Sequence, residues 1–130
     1  MVNSRAKGNN AERYVVNVLS KYFDGDFERR SMGYEGSDII CPENFLWAPE
    51  VKNKKTIKLK HLWKPTKELI SFWEQAVFQA KILNKLALLC IKIEGLWFAF
   101  SHEEAPLNFA LHAWLLEEWC QIHGTTTNHR

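Results

Sequence analysis

The chain predicts a single mixed α/β domain, and three observations carry that expectation. An apolar stripe of helical period runs through residues 11–22 and a second through residues 69–83, while strand-like runs at Trp47–Asn53 and Lys85–Ile93 stand on either side of the second stripe. At 130 residues, 46% of them hydrophobic and 25% charged, the composition is that of one globular domain with room for a substantial core.

In chain order, residues 1–8 read as a short basic arm carrying Arg5 and Lys7. Asn9 or Asn10 then caps a helix that runs to about Phe23, with Ala11, Val15, Val18, Leu19 and Tyr22 facing inward and Val16 and Phe23 widening the stripe. Glu12 shares an edge with Val16, Leu19 and Phe23. A carboxylate there either turns inward, where it needs a partner, or reaches solvent at the rim. After a turn at Asp24-Gly25-Asp26, residues 27–31 form an edge strand and residues 32–36 a glycine-containing loop. Arg29, Arg30 and Ser31 are placed either to touch a substrate or simply to keep an edge solvated.

Gly36 to Cys41 is a short apolar run with Asp38 at its head, and Pro42 to Phe45 is a turn joining it to Trp47–Asn53 as a hairpin. Alternation in the second strand puts Glu50 and Lys52 on one face and Val51 on the other. Asp38 would then lie near both. Two acids and a lysine on one face suit a divalent cation and a phosphate, because hard cations take carboxylate oxygens and the ammonium answers the phosphate charge. An exposed ion pair is the alternative such a pattern carries by itself.

Asn53 to His61 alternates lysine with other residues and reads as a further strand with Lys58 and Lys60 on one face, beside Lys52, as a surface tracking a nucleic-acid backbone would need. Thr66 caps a helix from Lys67 to about Asn84 that buries Leu69, Phe72, Trp73, Ala76, Val77, Ala80 and Leu83. Gln75 and Gln79 flank that side within reach of the acids or a phosphate, and Phe78 and Ile82 form a separate apolar pair that could cover a partner chain. Leu96–Phe100 is another strand. Pro106 opens a last helix to about Ile122, packing through Leu107, Ala110, Leu111, Trp114, Leu115 and Cys120, and residues 124–130 fray.

The charge is uneven: residues 1–67 hold 13 Lys/Arg against 8 Asp/Glu, whereas residues 68–130 hold 4 against 7. A basic first half that also holds the acid pair fits a polyanionic partner. Cys41, Cys90 and Cys120 are odd in number, without CxxC pairing, which argues against a zinc site or a disulfide framework and for reduced thiols in a cytoplasmic protein. No signal sequence and no apolar run of the roughly 20 residues a bilayer demands is present, so no membrane association is expected. The five histidines lack metal-ligand spacing, and the six tryptophans read as core, with Trp63 a candidate exception.

The order of these pieces resembles the PD-(D/E)XK nuclease superfamily. The residues carrying the likeness are Lys7-Gly8, Glu12-Arg13, Arg30-Ser31, Asp38-Ile39-Ile40, Glu50-Val51-Lys52 and Glu74-Gln75-Ala76, and within the superfamily they look most like the archaeal-type Holliday junction resolvases (Hjc) and their viral relatives. Ser37 stands where the superfamily often has proline, and Pro49 is unusual inside a central strand.

The resemblance implies a restriction-endonuclease-like αβββαβ core, a central mixed sheet flanked by helices, with the C-terminal strand and helix as additions. It also implies that Asp38, Glu50 and the Val51 carbonyl ligate Mg²⁺ or Mn²⁺, with Glu12 binding directly or through water. Lys52, Gln75 and Ser31 would assist catalysis, Arg5, Lys7, Arg13, Arg29, Arg30, Lys54 and Lys55 would bind DNA, and the products would carry a 5′-phosphate and a 3′-hydroxyl. Its function would be recombination or repair in the cytoplasm, the host's if the source is viral. A homodimer would cut opposed strands of a four-way junction with no small-molecule cofactor. A restriction-like or repair endonuclease on duplex or nicked DNA, and a non-catalytic DNA-binding module, are the alternatives.

Overall fold

The computed structural model describes residues 4–30 and 38–124, with side chains described from Asn10 onward. Helix α1 spans Ser4–Tyr22, strand β1 Glu28–Arg29, β2 Ile39–Ile40 and β3 Trp47–Asn53. A 3₁₀ turn at Leu59–Leu62 leads to α2, Lys67–Leu83, followed by β4, Leu86–Ile93, and β5, Leu96–Phe100. A second 3₁₀ turn at Ala105–Leu107, strand β6 at Trp114–Leu115 and helix α3 at Leu116–His123 complete the chain. Among the described residues no helix is long and apolar enough to cross a membrane.

Four strands form one sheet in the order β3-β4-β5-β6, and β1 and β2 pair apart from it as a two-stranded antiparallel ribbon. β3 and β4 run parallel with Glu50 beside Leu89 and Asn53 beside Lys92, joined by the α2 crossover that a parallel pair requires. β4 and β5 are antiparallel, so the sheet is mixed as expected.

The sheet separates two cores. On one face α1 and α3 bury Val15, Leu19, Phe23, Leu116 and Trp119 against Val51, Leu88, Cys90 and Ala99. On the other α2 buries Leu69, Phe72, Trp73 and Ala76 against Leu89, Ile91, Ile93 and Phe100. β4 therefore reads as a continuous apolar run because it is covered on both sides. Thr66 caps α2 by accepting the Leu69 N–H at 3.1 Å, and the helix ends at Asn84 in the left-handed conformation.

Four expectations are corrected. Helix α1 begins at Ser4, ahead of the Asn9–Asn10 cap, so residues 4–8 open the helix instead of lying in a basic arm. Arg5 and Lys7 carry no described side chains. The expected hairpin between β2 and β3 does not form: β2 pairs with β1, although Phe45 N–H does close the turn onto the Pro42 carbonyl at 3.0 Å. The lysine-rich stretch after Asn53 is not a strand. Burying both Ile57 and Leu62 in the α2 core coils it into the 3₁₀ turn, where the Lys58 N–H donates to His61 Nδ1 at 2.9 Å.

The single C-terminal helix is likewise broken, because its residues serve opposite faces of the sheet. Phe109 packs edge-on against Phe100 in the α2 core, while Leu116, Trp119 and Cys120 lie in the α1 core. One straight helix cannot reach both, so the chain crosses the sheet edge as β6, leaving Leu107, Leu111, Trp114 and Leu115 exposed. Leu83, expected inside, is also exposed; Trp63 is 70% exposed, while Trp73 and Trp119 are core. The three cysteines are free thiols, Cys90 and Cys120 buried and Cys41 half-buried.

Candidate active site

β3 is an edge strand of the main sheet, and its outward side is where Asp38 approaches it. The Val51 N–H donates to Asp38 Oδ2 at 2.8 Å instead of to a neighbouring strand. Outward-pointing positions alternate along a strand, so Pro49 also faces this edge, the one place where its missing N–H breaks no ladder. In a strand a residue's N–H and C=O lie on the same side, which turns the Val51 carbonyl toward Asp38 as well. The Arg30 N–H donates to the Asp38 carbonyl at 2.9 Å, holding β2 in place from its other end.

Glu50 and Lys52 share the face toward α2, as alternation predicts. Their charges stand 3.5 Å apart, and Lys52 Nζ lies 5.0 Å from the centroid of the Phe72 ring. Glu50 is 6% exposed, and is the single buried charged residue among the described ones. Burial, helped by the Asp38 charge, pushes its carboxyl up to about 7 against the opposing pull of Lys52. Burial likewise raises Asp38, opposed by the Val51 N–H, Lys52 and Arg30. Across the edge, Glu12 on α1 is raised by burial and by Asp38, and it meets Arg29 at 3.9 Å.

Three carboxylates thus lie within electrostatic reach of one another. Among the described residues no group of three His, Cys, Asp or Glu side chains converges as a ready-made metal cage. The donor set that does fit a hard cation is Asp38, Glu50 and the Val51 carbonyl. Two desolvated, mutually repelling carboxylates, only partly answered by Lys52 and Arg30, are the surroundings a dication would relieve. Glu12 faces this set with its charge partly answered by Arg29.

The remaining expected residues are placed as follows. Arg13, Lys54 and Lys55 are exposed, Gln75 lies exposed on α2, and Ser31 falls outside the described residues. Gln79, one turn on, is half-buried with Oε1 lacking any hydrogen-bond partner. Sequence reasoning singled out Gln79 beside Gln75 but missed the lysine-lined pocket at the far end of β3. Spacing could not reveal the pocket, because Lys92 joins it only through the β3–β4 register.

Residues 3–104 match the model of a family described as phage PDDEXK endonucleases. Among solved structures, the 1.6 Å structure of Archaeoglobus fulgidus Hjc, a Holliday junction resolvase from an archaeal hyperthermophile, is similar at a TM-score of 0.55 and 19% identity. The match covers 88% of this chain and 96% of that one, a likeness of fold. No curated protein matches significantly.

Proposed function

The chain belongs to the phage PDDEXK endonuclease family, and from that membership we propose that it cuts branched DNA, four-way junctions above all, hydrolysing phosphodiesters on opposed strands as a symmetric dimer. The observation that supports the reading is the Asp38–Val51 bond next along β3 to the Glu50–Lys52 pair. The fold-level likeness to a junction resolvase supports the choice of substrate.

Asp38, Glu50 and the Val51 carbonyl would hold Mg²⁺ or Mn²⁺, which when bound polarises a phosphate and acidifies a coordinated water. Glu12 would engage the same cation directly or through water. Lys52, steadied between Glu50 and the Phe72 ring, presents its ammonium where negative charge builds on the phosphoryl oxygens, a fixed charge that needs no reorganisation. Arg13, Arg29 and Arg30, on the α1 and β1 side, bind flanking phosphates, and Ser31 and Gln75 complete the proposed contacts with the cut strand.

One small domain has one such site, so cutting two strands of a junction needs two copies. Phe78 and Ile82, 62% and 53% exposed on α2, supply an apolar face for that pairing. The test is incubation with Mg²⁺ and either a labelled four-way junction or linear duplex of the same sequence. Paired, symmetric nicks in the junction alone support resolution, equal cutting of both indicates a general duplex endonuclease, and binding without cutting removes the catalytic assignment.

A further inference from the structure

We infer that the pocket at the C-terminal end of β3 is a second binding site, for non-scissile phosphates, that fixes the DNA path beyond the cutting residues; the inference rests on the nuclease reading for the identity of its polyanion. The pocket, about 320 Å³, is lined by Lys54, Lys55, Lys58 and Lys92 together with Asn53 and Glu94. Its parts come from three segments. Lys54 and Lys55 continue β3 directly past Lys52, Lys92 stands beside Asn53 in the β3–β4 register, and Lys58 leads into the 3₁₀ turn.

Four lysines against one acid make the lining of this concavity net positive, which favours an anion there. The one acid in the lining, Glu94, keeps its charge but is outnumbered by the lysines, and its Oε2 accepts the Leu59 N–H at 2.7 Å. That bond also ties the β4–β5 turn, with Glu94 at φ 48° and Gly95 at φ 86°, to the segment bearing Lys58. The backbone segments that bear these lysines are thereby held beside one another before any ligand arrives. The location is the carboxyl end of a parallel strand pair, where α/β sheets place their ligands. Arg29 and Arg30 lie instead at the outward edge of β3 near Asp38, so the two basic groups would grip the backbone on either side of Glu50 and Lys52.

The experiment measures metal-free binding of a labelled duplex and a labelled four-way junction against salt concentration, by fluorescence anisotropy. Replacing Lys58→Ala with Lys92→Gln is expected to weaken binding roughly tenfold near physiological salt and to lower the log–log salt slope by about 2, one for each lost phosphate contact. Lys58→Arg should keep the slope and Lys81→Ala, on the opposite flank of α2, should leave it unchanged. If the double variant loses thermal stability, the exposed Lys58→Ala alone should lower the slope by about 1. A wild-type slope in these variants, a loss matched by Lys81→Ala, or saturation by inorganic phosphate without any effect on DNA binding would overturn the proposal. Slope loss in a chain that never nicks DNA would keep the pocket and defeat the nuclease reading, whereas nicking with an unaltered slope would do the reverse.

Discussion

Asp38 accepts the Val51 N–H at 2.8 Å, so one side chain both anchors the short β2 segment and orients a carboxylate at the outward edge of β3. The bond sets the backbone of the residue between Glu50 and Lys52 against the acid that must act with them. Structural and chemical roles of Asp38 are thus separable by substitution. Asp38→Asn retains an acceptor oxygen for Val51, whereas Asp38→Ala leaves that N–H without a partner and should cost about 1–3 kcal/mol.

Cleavage should fall by at least about 100-fold in Asp38→Asn and in Lys52→Ala, with junction binding retained, because each removes charge from the site rather than from the DNA-contacting surface. Single-turnover nicking and anisotropy on the same junction check this, and undiminished cleavage by either variant would defeat the site assignment.

Stability should depend on pH through Glu50. Its carboxyl ionises near 7 when folded and near 4.5 when unfolded, so the folded chain holds the extra proton between those values. Stability therefore declines as pH rises through that window and stays lower above it, by up to about 3 kcal/mol. Thermal melts of the metal-free protein should show a lower midpoint at pH 8 than at pH 5, Glu50→Gln should flatten the difference, and added Mg²⁺ should raise the pH 8 midpoint.

Phe78→Glu should yield a folded monomer that binds DNA yet makes unpaired nicks. Light scattering checks the mass and the symmetry of cleavage products checks the coupling; a wild-type monomer at micromolar concentration that still resolves junctions would remove the dimer.

Trp119→Ala should destabilise the fold by about 3–5 kcal/mol, since it empties a fully buried site and strands its neighbours. Trp119→Phe should cost less, losing chiefly the indole hydrogen bond to Ser101 Oγ at 3.0 Å. Chemical denaturation measures both.

Local periodicity was enough to find the helical stripes of α1 and α2, the doubly covered β4 and the facing of Glu50 with Lys52, since each depends on residues close in sequence. Thr66 announced its cap for the same reason. The pairing of β2 with β1 was hidden, because a two-residue strand has no periodicity to read and the Asp38–Val51 bond substitutes for a ladder. The C-terminal run misled for a different reason: its apolar residues fit one helical face on paper, but Phe109 and Trp119 belong to cores on opposite sides of the sheet. The acids at 12, 38 and 50 were legible as a set, whereas their electrostatic coupling and the convergence of Lys58 with Lys92 exist only once the strands are in register.

Pro49 and Val51 give β3 two successive outward positions with no donor to spare, one lacking it by chemistry and the other having it occupied. Another chain's strand finds little there to zip onto, so β3 can stand at the sheet edge without inviting fibrous self-association. Restoring those donors, by Pro49→Val together with Asp38→Ala, should make the protein more prone to aggregate on concentration.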